Sequence, residues 1–347
     1  MENGVRKDYL LDRWVIIAAE RAKRPSDFKA KPSPRDMGKV CPFCPGNEEM
    51  TPPATLLYIE REGNLLEDRD LEMPRRSDWI VRCFPNRYPA VKPRAKEVIA
   101  AENKLLYRTR AYGFHEVVVE SPIHNEQPSN MRLKQLKYSL MAQIERVSTF
   151  YRYPSVRYVQ MFRNYRREAG ASLSHPHSQI IATEHIPRIL REEVESSNKY
   201  MEREGRCIFC DIIELEKEGP RLIYESGYFV ALAPWASIQP FEFWILPKKH
   251  SASLLEITSE ELEDFSKILK TCLRSLSEAL GDPPYNYVFH IAPKYPRGVG
   301  EFYHWHLEVY PKLAVWAGFE IGTGMYINVV PPEATAESLK AEIEKYS

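Results

Sequence analysis

No excess of either charge is present: Lys+Arg and Asp+Glu number 48 each in 347 residues. That balance argues against a dedicated nucleic-acid or anionic-membrane binder. No apolar run approaches the roughly 18 residues that cross a bilayer, and the start, Met1–Asp8, has no apolar signal-peptide core. A cytoplasmic location is expected, with no nucleic-acid and no membrane partner. Cysteine is scarce, with six residues, at 41, 44, 83, 207, 210 and 272, too few to read as a disulfide scaffold. What is present is ordinary: 44% hydrophobic and 28% charged residues, enough for a sizeable core. At roughly 100–200 residues per domain, the length suggests two globular units.

Four of the cysteines form two C-x-x-C pairs, Cys41/Cys44 and Cys207/Cys210. In a reducing compartment such pairs are metal half-sites or redox centres. The remaining two, Cys83 and Cys272, read as buried apolar residues. Each pair opens a stretch with the same order of features. In the first, Cys41-Pro-Phe-Cys44 precedes an apolar strand pattern from Phe114 to His124. A helical spacing of Leu133, Leu136, Leu140, Met141, Ile144 and Val147 follows. Then come a strand-like Arg157–Phe162 and the segment His175-Pro-His177-Ser-Gln179. In the second, Cys207-Ile-Phe-Cys210 precedes Phe241–His250. A helix opens at the capping box Thr258-Ser-Glu-Glu261, followed by Tyr287–Ile291 and His304-Trp-His306. The cysteine pairs lie 166 residues apart, the lone histidines 126 and the paired histidines 129. The first half therefore carries an insertion of about 40 residues, expected in the Pro/Arg-rich Thr51–Arg110. Arg188–Arg206 reads as a solvated helix linking the halves. The expected fold is α+β, an internal pseudo-repeat with halves at residues 1–187 and 188–347; the order of strand pairing is not readable.

Cys41, Cys44, His124 and His175 offer two thiolates and two imidazoles, a set suited to tetrahedral zinc. The second half offers two competing sites. By the repeat, Cys207, Cys210, His250 and His304 would bind a second zinc, and this softer, local set is favoured. Alternatively, Glu193, His290, His304 and His306 would bind iron or zinc, although His290 reads equally as a hydrogen-bonded core histidine.

The reactive position is expected at His175-Pro-His177-Ser-Gln179. Alternate residues of a strand share a face, so a metal-held His175 fixes His177 beside it. With Nδ1–H donated to a backbone carbonyl, His177 would present its Nε2 lone pair to an electrophile. Pro176 stiffens the step between them. Gln179, on the same face, can hold a phosphoryl oxygen but cannot donate a proton as an acid would, which favours group transfer over hydrolysis. Upstream, Asn164 and the turn Gly170-Ala-Ser172 suit phosphate oxygens.

The His-Pro-His-x-Gln segment, the upstream C-x-x-C and the doubled layout resemble the galactose-1-phosphate uridylyltransferases of the histidine-triad superfamily over nearly the whole chain. Arg21-Ala-Lys-Arg24-Pro, Phe84-Pro-Asn86-Arg and Gly318-Phe-Glu320 add weaker matches. The resemblance implies two histidine-triad-like motifs, each a sheet with flanking helices, merged into one subunit that forms a homodimer. It implies that His177 takes the uridylyl group of UDP-glucose, releasing glucose 1-phosphate, and that galactose 1-phosphate then accepts it in a ping-pong reaction. Gln179 and Ser172 would hold phosphoryl oxygens, Asn86 and Asn164 the uridylyl group, and Glu320 the sugar hydroxyls. Arg21 and Arg24 would reach phosphate from a neighbouring subunit. The chain departs from better-known members at Ala171, at Leu173-Ser174 and in Phe319–Asn328, which lacks an expected glutamine. With Cys207 and Cys210, these departures resemble a two-zinc branch that includes an ADP-glucose phosphorylase, the alternative reading of the same histidine chemistry. A zinc-stabilised, non-enzymatic binding protein is a further alternative.

Overall fold

The apolar, β-branched runs of both halves join one sheet. The computed structural model describes residues 2–21, 28, 40–70, 73–94, 105, 106, 108–294 and 296–346. The first half contains β1 (Gly4–Lys7), β2 (Trp14–Ile17), β3 (Leu56–Arg61), β4 (Asn64–Asp68), β5 (Val81–Pro85), β6 (Gly113–Val119), α1 (Leu133–Tyr151), β7 (Tyr158–Tyr165) and β8 (His177–Thr183). The second contains α2 (Arg188–Glu204), α3 (Ile208–Lys217), β9 (Leu222–Glu225), β10 (Phe229–Leu232), β11 (Phe243–Pro247), α4 (Ser259–Leu280) and β12 (Tyr285–His290). It closes with α5 (Val299–Phe302), β13 (His306–Pro311), α6 (Gly318–Thr323), β14 (Tyr326–Asn328) and α7 (Pro332–Glu344).

Eleven strands pair antiparallel in the order β4-β3-β5-β6-β8-β7-β12-β13-β11-β10-β9. From the centre outward, β7, β8, β6, β5 and β3 are mirrored in order by β12, β13, β11, β10 and β9. Each half places its long helix, α1 or α4, between the same two strands. The fold is therefore α+β, with a duplicated motif fused at the β7–β12 seam, where Asn164 pairs with Asn286. A three-stranded sheet, β1-β2-β14, joins the start of the chain to its end.

Register pairs place Cys83, Val118, Ser178 and Arg163 on one face of the sheet, beneath α1 and α4. Here α1 buries Leu136, Leu140, Val147 and Phe150, and α4 buries Leu262, Phe265, Leu269 and Leu276. The Thr258/Glu261 capping box that opens α4 is formed. Cys83 and Cys272 are both fully buried, as expected. The opposite face carries Val117, Val119, His177 and Gln179, with a small apolar cluster of Leu57, Trp79, Phe84 and Phe43 beside them.

One local expectation is met and one needs correcting. The extra length of the first half falls within Thr51–Arg110 and two residues beyond it, in the β4 arm and in 86–112, around β3 and β5, the counterparts of β9 and β10. Arg188–Arg206 does form a helix, yet α2 is amphipathic rather than solvated all round. Leu190, Glu193, Val194 and Ser197 face inward.

Candidate active site and metal centres

The tight turn at Cys41–Cys44 brings two sulfurs toward His124, in the loop after β6, and His175, just before β8. Cys44 Sγ lies 3.3 Å from His124 Nδ1 and 3.6 Å from His175 Nδ1; Cys41 Sγ lies 3.7 Å from His175 Nδ1, and the two Nδ1 atoms are 3.3 Å apart. Zinc–ligand bonds of about 2.0–2.3 Å require tetrahedral edges of roughly 3.3–3.8 Å, so the residues fit such an ion. The outward nitrogens are occupied: His175 Nε2 donates to the Ser121 carbonyl at 2.8 Å, and His124 Nε2 meets Ser174 Oγ at 3.1 Å, the outer-shell support that fixes a ligand tautomer. Burial holds His175 down to about 4, so it is neutral near pH 7, the form in which an imidazole can bind a metal. Burial and the adjacent Cys41 push the Cys44 thiol up to about 11, so without a cation it keeps its proton.

The second C-x-x-C repeats this arrangement. Cys210 Sγ stands 3.5 Å from His250 Nδ1 and 3.8 Å from His304 Nδ1, while His250 Nε2 donates to the Gly300 carbonyl and His304 Nε2 to that of Pro247, both at 2.8 Å. Cys207 completes the group. The competing set of Glu193, His290, His304 and His306 is not what forms. His304 turns its ring to the cysteine sulfurs, and Glu308 stands in its place, so Glu193, His290, His306 and Glu308 make a third, wholly buried group. His290 sits between carboxylates, 2.9 Å from Glu193 and 3.4 Å from Glu308. Burial opposes charge on His290, but Glu193 and Glu308 outweigh it and raise its pKa. The favoured Cys/His set therefore stands beside a carboxylate–histidine set, because His304, just before β13, turns to the cysteines, whereas His306 and Glu308 on β13 face Glu193 and His290.

His177 begins β8 and is buried, with Nδ1 donating to the His175 carbonyl at 2.8 Å. The backbone of His175 thus orients the neighbouring imidazole. Among the described residues, Nε2 has no hydrogen-bond partner. Burial holds His177 below the ordinary imidazole range, keeping that lone pair available near neutral pH. Phe43, one of the two residues between Cys41 and Cys44 and passed over by sequence reasoning, sets its ring edge-on at 5.3 Å from the His177 ring. The knuckle therefore walls the imidazole as well as anchoring its neighbour.

Gln179 shares the face of His177, and its Oε1 lies 2.8 Å from His115 Nε2. His115 and Asn286 were not anticipated. His115 signalled itself only by standing alternately with Val117 on β6. Asn286 donates to Asn164 Oδ1 at 2.8 Å and to the Ala169 carbonyl at 2.7 Å, leaving the Asn164 amide nitrogen facing the Gly170 turn, 3.6 Å from where a Gly170 Cβ would stand. Gly170 itself is left-handed, at φ 92°. Asn86 places Nδ2 3.2 Å from His115 Nε2, joining the same strip. Ser172 is exposed in the loop before His175.

Glu320 is not joined to this strip by hydrogen bonds; its carboxylate accepts from Ala317 N and caps α6. Arg21 ends a short 3-10 turn after β2, and neither its side chain nor Arg24 lies among the described residues. No described helix is long and apolar enough to cross a membrane.

Residues 129–347 match a family model described as a domain of unknown function, DUF4921. The ADP-glucose phosphorylase of Arabidopsis thaliana is 35% identical over 97% of this chain and 92% of its own length. The galactose-1-phosphate uridylyltransferase of Thermotoga maritima is 32% identical over 98% of this chain and 99% of its own. A crystal structure of the Arabidopsis thaliana ADP-glucose phosphorylase with bound ADP-glucose aligns at TM-score 0.81 and 33% identity, covering 98% of each chain. These likenesses define an enzyme of the nucleotidyltransferase class, of histidine-triad type. More narrowly, the chain belongs to the galactose-1-phosphate uridylyltransferase-like family, in which its named relatives divide between ADP-glucose phosphorylase and uridylyltransferase.

Proposed function

We propose that this protein splits a nucleoside diphosphate hexose through a nucleotidyl-His177 intermediate. The observation that carries the reading is His177, with Nδ1 tied to the His175 carbonyl and Nε2 left open beside Gln179. In the first step Nε2 bonds to the α-phosphorus and the bond from that phosphorus to the leaving oxygen breaks, releasing hexose 1-phosphate. In the second, a phosphate oxygen of the acceptor attacks the same phosphorus, and the N–P bond breaks to restore the lone pair. Both the leaving group and the acceptor are phosphates, largely dianionic above a second pKa of about 6. Neither step then needs a proton, and an amide at position 179 suffices to neutralise oxygen charge.

ADP-glucose with inorganic phosphate as acceptor is the favoured pair, supported by the 35% relative and by the two Cys/His groups. UDP-glucose with galactose 1-phosphate is the second reading, supported by the near full-length 32% relative. Zinc in both Cys/His groups would stiffen the loops that carry His175 and His304; the Glu193 group suits iron or zinc. Asn86, Asn164, Gly170 and Ser172 are assigned to the nucleotide and its phosphates. Arg21, Arg24 and Glu320 are assigned to a site shared within a homodimer. The exposed apolar side chains Val315, Trp316, Phe319 and Ile321 around α6 support that association, and paired free thiols support a reducing cytoplasm.

The test is incubation with ADP-glucose or UDP-glucose labelled in the α-phosphate, followed by peptide mapping. An acid-labile label on His177 from one of them, discharged by the matching acceptor, is expected. Absence of label from both refutes the reading.

A further inference from the structure

Gln179 can assist phosphoryl transfer only if its amide is turned the right way. With Nε2 toward the substrate it donates to phosphoryl oxygens; flipped, its carbonyl oxygen would repel them. The protein fixes this through a residue on the neighbouring strand. The backbone N–H of Ala90 points at His115 Nδ1, 3.2 Å away, and a backbone N–H can only donate. Nδ1 must therefore hold the lone pair, and the neutral ring carries its proton on Nε2. Burial lowers the pKa of His115, in keeping with a neutral ring. That Nε2–H faces Gln179 Oε1 at 2.8 Å.

Asn86 stands beside the same ring nitrogen without bonding to it. Its Oδ1 accepts from Tyr88 N at 2.8 Å, which directs Nδ2 toward His115 Nε2, 3.2 Å away. For that pair to bond, Nε2 would have to be the acceptor, which the Ala90 contact forbids. The Asn86 amide thus keeps its N–H groups, and so does Gln179, whose Nε2 has no partner among the described residues. The result is a strip that offers only donors, the lining an anionic phosphoryl group needs as charge builds on its oxygens.

We propose that His115 is a positioning residue that locks the Gln179 amide with its nitrogen toward the α-phosphate of the nucleotide sugar. This deepens the proposed function and rests on Gln179 holding that phosphate. His115→Leu removes the donor while filling similar space. It lowers the single-turnover rate of His177 labelling about 10- to 100-fold, part of what losing an oxyanion-type donor costs, while KM for the nucleotide sugar stays within about threefold. His115→Gln, which can return an amide N–H, restores most of the rate. In a Gln179→Ala background, His115→Leu adds less than about a twofold loss; an equal loss in both backgrounds overturns the proposal, since His115 would then act by another route. A long-range proton–nitrogen correlation on the histidine-labelled wild type reads the tautomer directly: protonated Nε2 is expected, and protonated Nδ1 overturns it. If wild type forms no His177 adduct, the functional reading fails, while the tautomer measurement still decides whether His115 locks the amide.

Discussion

Gly113→Ala tests the geometry on which the site depends. Gly113 opens β6 opposite Thr183, at φ 154°. A Cβ there would lie 2.0 Å from the Ala182 carbonyl oxygen and 2.9 Å from Val91 Cγ2. A carbon–oxygen contact needs about 3.3 Å or more, so β6 and β8 must part by roughly 1 Å at this end. The Gly113 N–H also donates to the Lys92 carbonyl at 3.3 Å, a contact that this movement breaks. Two hydrogen bonds at about 1 kcal/mol each, with backbone strain of about 1–3 kcal/mol, are offset by about 0.4–1 kcal/mol of reduced unfolded-state entropy. The net loss is about 2–4 kcal/mol, which for 347 residues is a fall in Tm of roughly 3–5 °C. His115 lies two residues along, and its 2.8 Å contact with Gln179 would stretch beyond hydrogen-bond range. Differential scanning calorimetry and single-turnover labelling below both melting points measure the two effects. A melting point within 1 °C of wild type, by the scale just used, with unchanged labelling, would show that the strands do not approach this closely.

Four other tests follow from the same structure. Gln179→His puts a proton donor and acceptor beside the phosphorus, so release of nucleoside monophosphate to water should rise relative to transfer; an unaltered ratio of the two products by chromatography would remove the role given to glutamine here. Cys44→Ser, or chelation, should reduce His177 labelling by about 10-fold or more, because the knuckle carries both the His175 anchor and Phe43; elemental analysis showing full metal content in the variant with wild-type labelling would contradict this. Because Cys44 keeps its proton up to about 11 when no cation is bound, metal affinity should climb with pH between 6 and 8, by about one decade per unit for each thiol proton released, and flat competition titrations would refute it. Glu242 is buried, accepts from Ile238 N and Gln239 N, and is pushed by burial up to about 8. The folded state therefore holds its proton more tightly than the unfolded chain, and stability falls as pH rises from about 4.5 toward 8. Glu242→Gln keeps the acceptor and should raise Tm at pH 8 but hardly at pH 5; an equal gain at both would exclude the linkage.

The duplicated architecture and the two Cys/His groups were legible because they depend on residue identity at recurring spacings. Helical periodicity located α1 and α4 for the same reason. The pairing order was not legible: a sheet joined at β7–β12 is fixed by contacts between residues about 120 apart, Asn164 and Asn286 among them, which no local pattern records. The fate of His304 was equally hidden. Sequence spacing offered it to two sets of ligands, and only its ring orientation, Nδ1 toward Cys210 and Nε2 toward Pro247 O, decides between them. His115 and Phe43 escaped notice because each acts through its position beside a reactive group, one across a strand pair and one inside a knuckle.

The sheet order makes β8 and β13 counterparts, so His177 and Gln179 correspond to His306 and Glu308. One chain thus contains two versions of the same strand, and their differences bear on the reactivity proposed for His177. In the second, the ring of His306 is packed among Phe209, Trp244 and Tyr303 at 5.0, 5.3 and 6.4 Å. Its Nε2 faces Glu308 at 3.4 Å, and α2 adds Glu193 to the same buried group. A carboxylate there draws a cation or a proton to the imidazoles and repels any phosphoryl oxygen, so the position serves cohesion. In the first, an uncharged amide held by His115 replaces the carboxylate, and no acidic side chain is hydrogen-bonded to the His177 imidazole among the described residues. The imidazole remains neutral and the adjacent donors remain unfilled, which are the two conditions for attack on an anionic phosphorus. Exchanging the alternate residue, Gln179→Glu, should therefore abolish labelling of His177 while leaving the fold and the metal content intact, measured by labelling, circular dichroism and elemental analysis. Retention of labelling above about a tenth of wild type would mean that charge at this position, worth at least the 2.7–4 kcal/mol of a lost oxyanion donor, does not separate the two strands.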